Sequence, residues 1–139
     1  MGKHALLSPS GASRWLACTP SARLEETYPS SSNMAADEGT LAHALSELML
    51  RNHFKIINHI VYQRELKKIK AHQLYNAEMH DHATDYMTFI LEKHAELTDP
   101  TIFVEELIDL QEFVPEGFGT VDCVMIADNI LDINDLKYG

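Results

Sequence analysis

The sequence predicts an α+β fold, with helices through the first hundred residues and an antiparallel three-strand meander after them. Three observations carry this. Apolar residues recur at helical spacing up to Leu97, Asp99-Pro100 interrupts that pattern, and from Thr101 onward the chain turns to short apolar runs separated by turn residues.

Each element has its own signal. Ser8-Pro9-Ser10 ahead of Trp15 and Leu16 marks a first helix start. Thr19-Pro20 marks a second, because proline suits the first turn, where its missing N–H would be unpaired anyway. Tyr28 to Asn33 (YPSSSN) reads as a loop. Leu41, Leu45, Leu48 and Met49 predict an amphipathic helix from Asp37 to roughly Asn52. Leu74, Met79, Ala83, Tyr86, Phe89, Ile90 and Leu91 predict a long helix from roughly Ala71 to Leu97. TIFVEELIDL, TVDCVMIAD and ILDINDLK read as strands, separated by a Pro/Gly turn at Val114 to Gly119 and by the pair Asp128-Asn129. There is no internal repeat or low-complexity tract. The expectation is a single domain over residues 1–139, helical over residues 1–99 and built of strands over residues 100–139, where the chemistry lies.

Composition excludes several classes. A chain of 139 residues, 45% hydrophobic, is long enough for one core and too short for a large multidomain enzyme. Cys18 and Cys123 cannot form a disulfide framework, and two thiols cannot hold an all-cysteine zinc or iron–sulfur site, which points to a reducing compartment. Apolar runs such as Val121 to Ala127 fall far below the ~18–20 residues of a membrane span. The N-terminus lacks a long apolar signal core, so the expectation is a cytoplasmic protein with no membrane partner.

The net charge of −10 repels a polyanion on average, but it is unevenly spread. Arg51, Lys55, Arg64, Lys67, Lys68 and Lys70 face one acid, Glu65, within their stretch, whereas from Glu96 onward eleven acids face one base, Lys137. The plain reading is a solvated basic helix face and a soluble acidic surface.

Strand pairing brings some of that acidity together. A symmetric loop centred on Asp128-Asn129 pairs residue i with 257 − i, setting Asp122 opposite Asp135. Alternation then places Leu131, Ile133, Asp135 and Lys137 on one face with Ile126, Val124 and Asp122. Carboxylates opposed at about 5 Å repel unless a cation or proton lies between them, the requirement of a Mg²⁺ or Mn²⁺ site. Lys137 would orient water or neutralise charge growing on a phosphate. A surface Asp–Lys–Asp salt bridge explains the same spacing equally well. His72, His80, Asp81 and His82 also cluster, but side chains two apart do not share a helix face, so surface histidines are the default there.

Asp122 followed by Asp135-x-Lys137 resembles the D…(D/E)xK signature of the PD-(D/E)XK nuclease superfamily. Gly119-Thr120-Val121-Asp122 and Asp135-Leu136-Lys137-Tyr138-Gly139 are similar to its RecB-like branch. Ser8-Pro9-Ser10 with Arg14-Trp15-Leu16-Ala17-Cys18 resembles the opening helix of those nucleases, and Glu38-Gly39-Thr40-Leu41-Ala42-His43 their G-T-x-x-H motif. Together HALLSPSGASRWLAC, SARLEE, EGTLAHALSE, VPEGFGTVDCVMIAD and DLKYG are similar to phage and bacterial proteins grouped as the domain of unknown function 2800 family.

The resemblance implies an incomplete restriction-endonuclease-like core. It makes Asp122 and Asp135 metal-binding carboxylates, Lys137 the catalytic lysine, Glu105 or Glu106 (Glu105 preferred) a supporting acid, and His43 a further metal ligand or phosphate-facing group. Paired with Glu47 at i+4, His43 would instead be an ordinary helix-surface residue. For Ser10, Arg14 and Trp15, helix packing is the expected role. Some RecB-like nucleases hold an iron–sulfur cluster through one N-terminal and three C-terminal cysteines. Cys18 sits where the first would be and the other three are absent, so no cluster is expected. Asn134 stands where the family has an apolar strand residue, on the face opposite the site. The chain stops at Gly139, before the Gln-x-x-x-Tyr helix and further strand of such nucleases, so a C-terminally truncated form of weak or no activity, open to self-association at its sheet edge, is expected.

The resulting expectation is a Mg²⁺- or Mn²⁺-dependent deoxyribonuclease of RecB-like exonuclease type. Its basic stretch Arg51 to Lys70 would contact DNA phosphates. The alternative is an inactive nuclease fragment that binds DNA or protein in a phage or host replication or recombination complex. A third reading, an acidic helical scaffold, predicts neither metal nor DNA binding.

Overall fold

Three asparagines start the three long helices. In the computed structural model, which describes residues 5–28, 33–127 and 129–138, Asn33, Asn58 and Asn76 each sit in extended backbone. Each side-chain oxygen accepts from the N–H three residues on: Ala36 at 2.9 Å, Val61 at 2.9 Å and Met79 at 2.8 Å. The helices that follow are α3 (Met34–His53), α4 (His59–Lys70) and α5 (Ala77–Glu96). Helix α3 thus begins three residues before the expected Asp37, and α5 six residues after the expected Ala71. Apolar periodicity does not register an asparagine cap.

Before them come a 3₁₀ turn (Pro9–Gly11), α1 (Ala12–Ala17) and α2 (Ser21–Glu25); after them, β1 (Thr101–Asp109), β2 (Phe118–Ala127) and β3 (Ile130–Asn134). The strands form one antiparallel sheet in the order β1-β2-β3, which is the α+β class expected. Contacts divide the chain into two units, Met1–Ser31 with Glu106–Val121, and Ser32–Glu105 with Asp122–Gly139.

In the first unit, Ser8 caps the 3₁₀ turn by accepting from the Gly11 N–H at 3.2 Å, and the Trp15 indole donates to the Ser8 carbonyl at 2.9 Å. Pro20 takes the cap position of α2 without a side-chain bond. The loop between β1 and β2 closes through Leu110 N–H donating to Gly117 O at 3.0 Å. A Cβ on Gly117 would stand 2.7 Å from the Val114 carbonyl oxygen, so only glycine fits that turn.

In the second unit α3 is central. Ala42, Leu45, Leu48 and Met49 pack with Leu66 of α4 and with Met79 and Ala83 of α5. Leu50, on the adjoining side, packs with Ile90 of α5 and with Val104, Cys123 and Met125 of the sheet. Burial pushes the Cys123 thiol up to about 11, and the Asp132 and Asp122 charges add to this, so it is an inert core residue. Asn134 is also buried, its amide donating to Asp132 Oδ1 at 2.9 Å, and Lys93 pairs with Asp132 Oδ2 at 2.6 Å.

The β2–β3 register is Cys123↔Asn134, Val124↔Ile133, Met125↔Asp132, Ile126↔Leu131 and Ala127↔Ile130, the 257 − i rule at every pair. The ladder stops there, so Asp122 and Asp135 do not form the expected opposed pair: β3 ends at Asn134. Asp128 of the expected turn lies outside the described residues, as do Pro29 to Ser32 of the expected loop. Asn129 is left-handed, with φ 61°. The single apolar-then-ionic face also breaks up. Ile126, Leu131 and Ile133 are 47%, 61% and 57% exposed, whereas the Asp122 carboxylate meets a residue of α3.

Candidate active site

Four regions of the second unit converge on one small cavity. Helix α3 supplies His43, Ser46, Glu47 and Leu50; α5 supplies Tyr86; β1 and β2 supply Glu105 and Asp122; and the segment after β3 supplies Leu136. The cavity is about 10 Å³, room for one water-sized particle.

Asp122 is the hub. Its Oδ1 lies 3.2 Å from His43 Nδ1, and its Oδ2 accepts from the Leu136 N–H at 2.6 Å. Burial works to raise the Asp122 carboxyl, but these two bonds and the charges of His43 and Lys137 hold it below the usual range. His43 responds in the opposite sense. The bond to Asp122 lifts the imidazole above its ordinary value against the effect of burial, helped by the charges of Asp122, Asp135 and Glu105.

Glu105 reaches this cavity through an unusual backbone. Val104 enters the core, so strict alternation would turn Glu105 to the other side of the sheet. With φ at 56°, Glu105 is left-handed, and both side chains point to the helical layer. Burial raises its carboxyl, and the nearby charges of Glu47 and Asp122 raise it further. Such conformations cost about 1–2 kcal/mol for an L-residue and cluster at functional sites.

The remaining expected residues are placed as follows. Asp135 and Lys137 pair with each other, the lysine largely exposed, and neither lines the small cavity. His43 does not pair with Glu47, which instead forms an ion pair with Arg51 at 3.0 Å, while Arg51 also donates to the Val104 carbonyl at 3.2 Å. Arg51 therefore braces the wall of the cavity. On α4, Glu65 pairs with Arg64 at 2.7 Å and with Lys68 at 2.8 Å, leaving Lys67 and Lys70 in the exposed last turn. Lys55 is left-handed after α3 and exposed. Ser46, Tyr86 and Leu136 escaped sequence reasoning as cavity residues, and Glu47 entered it only as a surface partner of His43, although His43, Glu47 and Arg51 recur every four residues and mark one stripe of α3. Gly39, one turn before His43, has nothing within 4 Å of where its Cβ would be.

A family model described as "Protein of unknown function (DUF2800)" matches residues 4–139. The chain belongs to this family. No solved structure matches this DUF2800 chain.

Among the described residues no group of three or more His, Cys, Asp or Glu is arranged to hold an ion as it stands. Magnesium commonly takes only one or two carboxylates and completes its shell with water and phosphate. Asp122 and Glu105 are hard oxygen donors of the kind magnesium takes, and they stand on the walls of one cavity.

Proposed function

We propose that this protein is a metal-dependent deoxyribonuclease of the PD-(D/E)XK superfamily, RecB-like in type, and that its substrate is DNA. The observation that carries the reading is the convergence of His43, Glu105 and Asp122 on one ion-sized cavity, with Asp122 fixed by the Leu136 N–H. Glu105, Asp122 and His43 would hold Mg²⁺ or Mn²⁺, which when bound would polarise the scissile phosphate and the attacking water.

The protein's own groups do the rest. The Leu136 N–H and His43 keep Asp122 ionised and fixed in direction at neutral pH. The left-handed backbone turns Glu105 inward, and the Arg51 bond to the Val104 carbonyl steadies the strand that carries it. Lys137, one residue past Leu136, would donate to a phosphate oxygen and offset the charge that grows as the P–O bond breaks. Its partner Asp135 keeps the ammonium protonated. Basic residues of the stretch Arg51 to Lys70, chiefly Lys67 and Lys70, would contact the phosphate backbone.

The test is degradation of linear DNA. Loss of full-length strands in Mn²⁺, none in EDTA, and a large drop in Lys137→Ala support the reading; activity indifferent to Lys137→Ala overturns it. The commitment of Asp135 to Lys137 favours a second reading, an inactive nuclease relative that binds DNA or protein in a recombination or replication complex. Binding of linear DNA without cleavage in any divalent ion would select it.

A further inference from the structure

Beside the small cavity, and sharing Tyr86 and Leu136 with it, lies a groove of about 620 Å³ between α3, α5 and the segment after β3. That volume lies in the range of sites that enclose a small organic group. Its walls combine two chemistries. Phe89, 46% exposed and with Lys93 Nζ 5.5 Å from its centroid over one face, and Tyr138 offer ring surface. The Tyr138 hydroxyl donates to Glu38 at 3.4 Å and its ring meets His82 edge-on at 5.8 Å, so its position is set by two neighbours. Glu38, Glu78 and Asp85 add three carboxylates; Glu38 accepts from Tyr138 and Asn76 and Glu78 pairs with His82 at 3.7 Å, whereas Asp85 makes no hydrogen bond or ion pair among the described residues.

Lys137 lies at one part of the lining, and away from it three carboxylates repel a phosphodiester, so the DNA backbone does not run the length of this groove. What suits aromatic surface edged with acceptors is a planar group bearing N–H donors, at a position reachable from a phosphate held by Lys137. We propose that the groove receives one unpaired nucleobase next to the scissile phosphate and favours bases with an exocyclic amine. This rests on the nuclease reading. The rings stack on the base, and Asp85 accepts from its amine, as carboxylates do from the N4 amine of cytosine. Thymine, with a carbonyl in the same place, meets that acceptor with an acceptor. An end that is frayed or single-stranded is therefore a better substrate than a blunt duplex.

Fluorescence anisotropy of labelled dC and dT hexamers on the full chain, in Ca²⁺ at pH 8, reads this without cleavage. The dC hexamer is expected to bind about tenfold more tightly than dT, with Asp85→Asn removing most of the gap and Phe89→Ala weakening both about tenfold. Equal affinities, or a gap unchanged in Asp85→Asn, overturn the base site. So does capture of a labelled hexa-arginine peptide, lost in Asp85→Asn, by a protein that does not discriminate the hexamers. A protein that cleaves DNA in Mn²⁺ but shows no base preference loses this inference alone. One that prefers dC but never cleaves keeps the base site and loses the nuclease reading.

Discussion

His43 Nδ1 and Asp122 Oδ1 meet at 3.2 Å across 79 residues of sequence, one from the central helix and one from the middle strand. Each shifts the other's protonation, so the pair ties the fold of the second unit to the state of the site. Asp122, held below its ordinary 3.8, stabilises the folded chain above that pH and loses this as pH falls through its lowered value. His43, held above its ordinary 6.5, stabilises below that pH and loses this as pH rises through its raised value. The pair therefore contributes in full between those two ordinary values. An NMR titration should place the His43 ring above 6.5 in the wild type and lower in Asp122→Asn. Urea midpoints of the two proteins should differ more at about pH 5.5 than at about pH 9. A His43 ring indifferent to Asp122→Asn would contradict the bond.

Glu105 holds a conformation that glycine adopts freely, and it holds a carboxyl that its surroundings raise. Glu105→Gly should therefore unfold at higher urea, by about 1 kcal/mol, while losing affinity for Mn²⁺. Glu105→Val, branched at a positive φ, should be less stable than wild type. If glycine destabilises, the strain assigned to this residue is wrong.

Gly39 lies inside α3 with open space where a side chain would go. Gly39→Ala should raise stability by about 1 kcal/mol in chemical denaturation, since alanine is the better helix former. If the space serves DNA, the same variant should bind linear DNA more weakly. An unstable Gly39→Ala would mean that the position is crowded.

Lys67 and Lys70 of α4, unpaired among the described residues, give a salt-dependent prediction. Lys67→Ala/Lys70→Ala should weaken binding to duplex DNA at every sequence and reduce the slope of log K against log salt by about 2. Arg64→Ala/Lys68→Ala should do less, because Glu65 already holds both side chains. Identical slopes in all three proteins would remove α4 from the interface.

Much of this fold is written locally. The helices before α4, the helix after it and the three strands follow from periodicity, whereas α4 (His59–Lys70) does not, and the β2–β3 register follows from its turn, because a two-residue period leaves little freedom once the loop is centred. What periodicity lacks is the special backbone. The left-handed Glu105 moved a carboxyl across the sheet, and the end of β3 at Asn134 replaced an Asp122–Asp135 opposition with the Leu136 N–H bond. The asparagine caps at Asn33 and Asn76 were visible in the sequence as residue types, yet the apolar stripe alone set those helix starts wrongly. His43 stood out through the motif around it, but its partner comes from the sheet and only the folded chain supplies it.

The most direct measurement is calorimetric titration of Mn²⁺ into the wild type, Asp122→Asn and Lys137→Ala. One site in the wild type, kept in Lys137→Ala and abolished in Asp122→Asn while circular dichroism stays native, is the result predicted. Binding that survives Asp122→Asn, or no binding in the wild type, would contradict a metal centre on His43, Glu105 and Asp122.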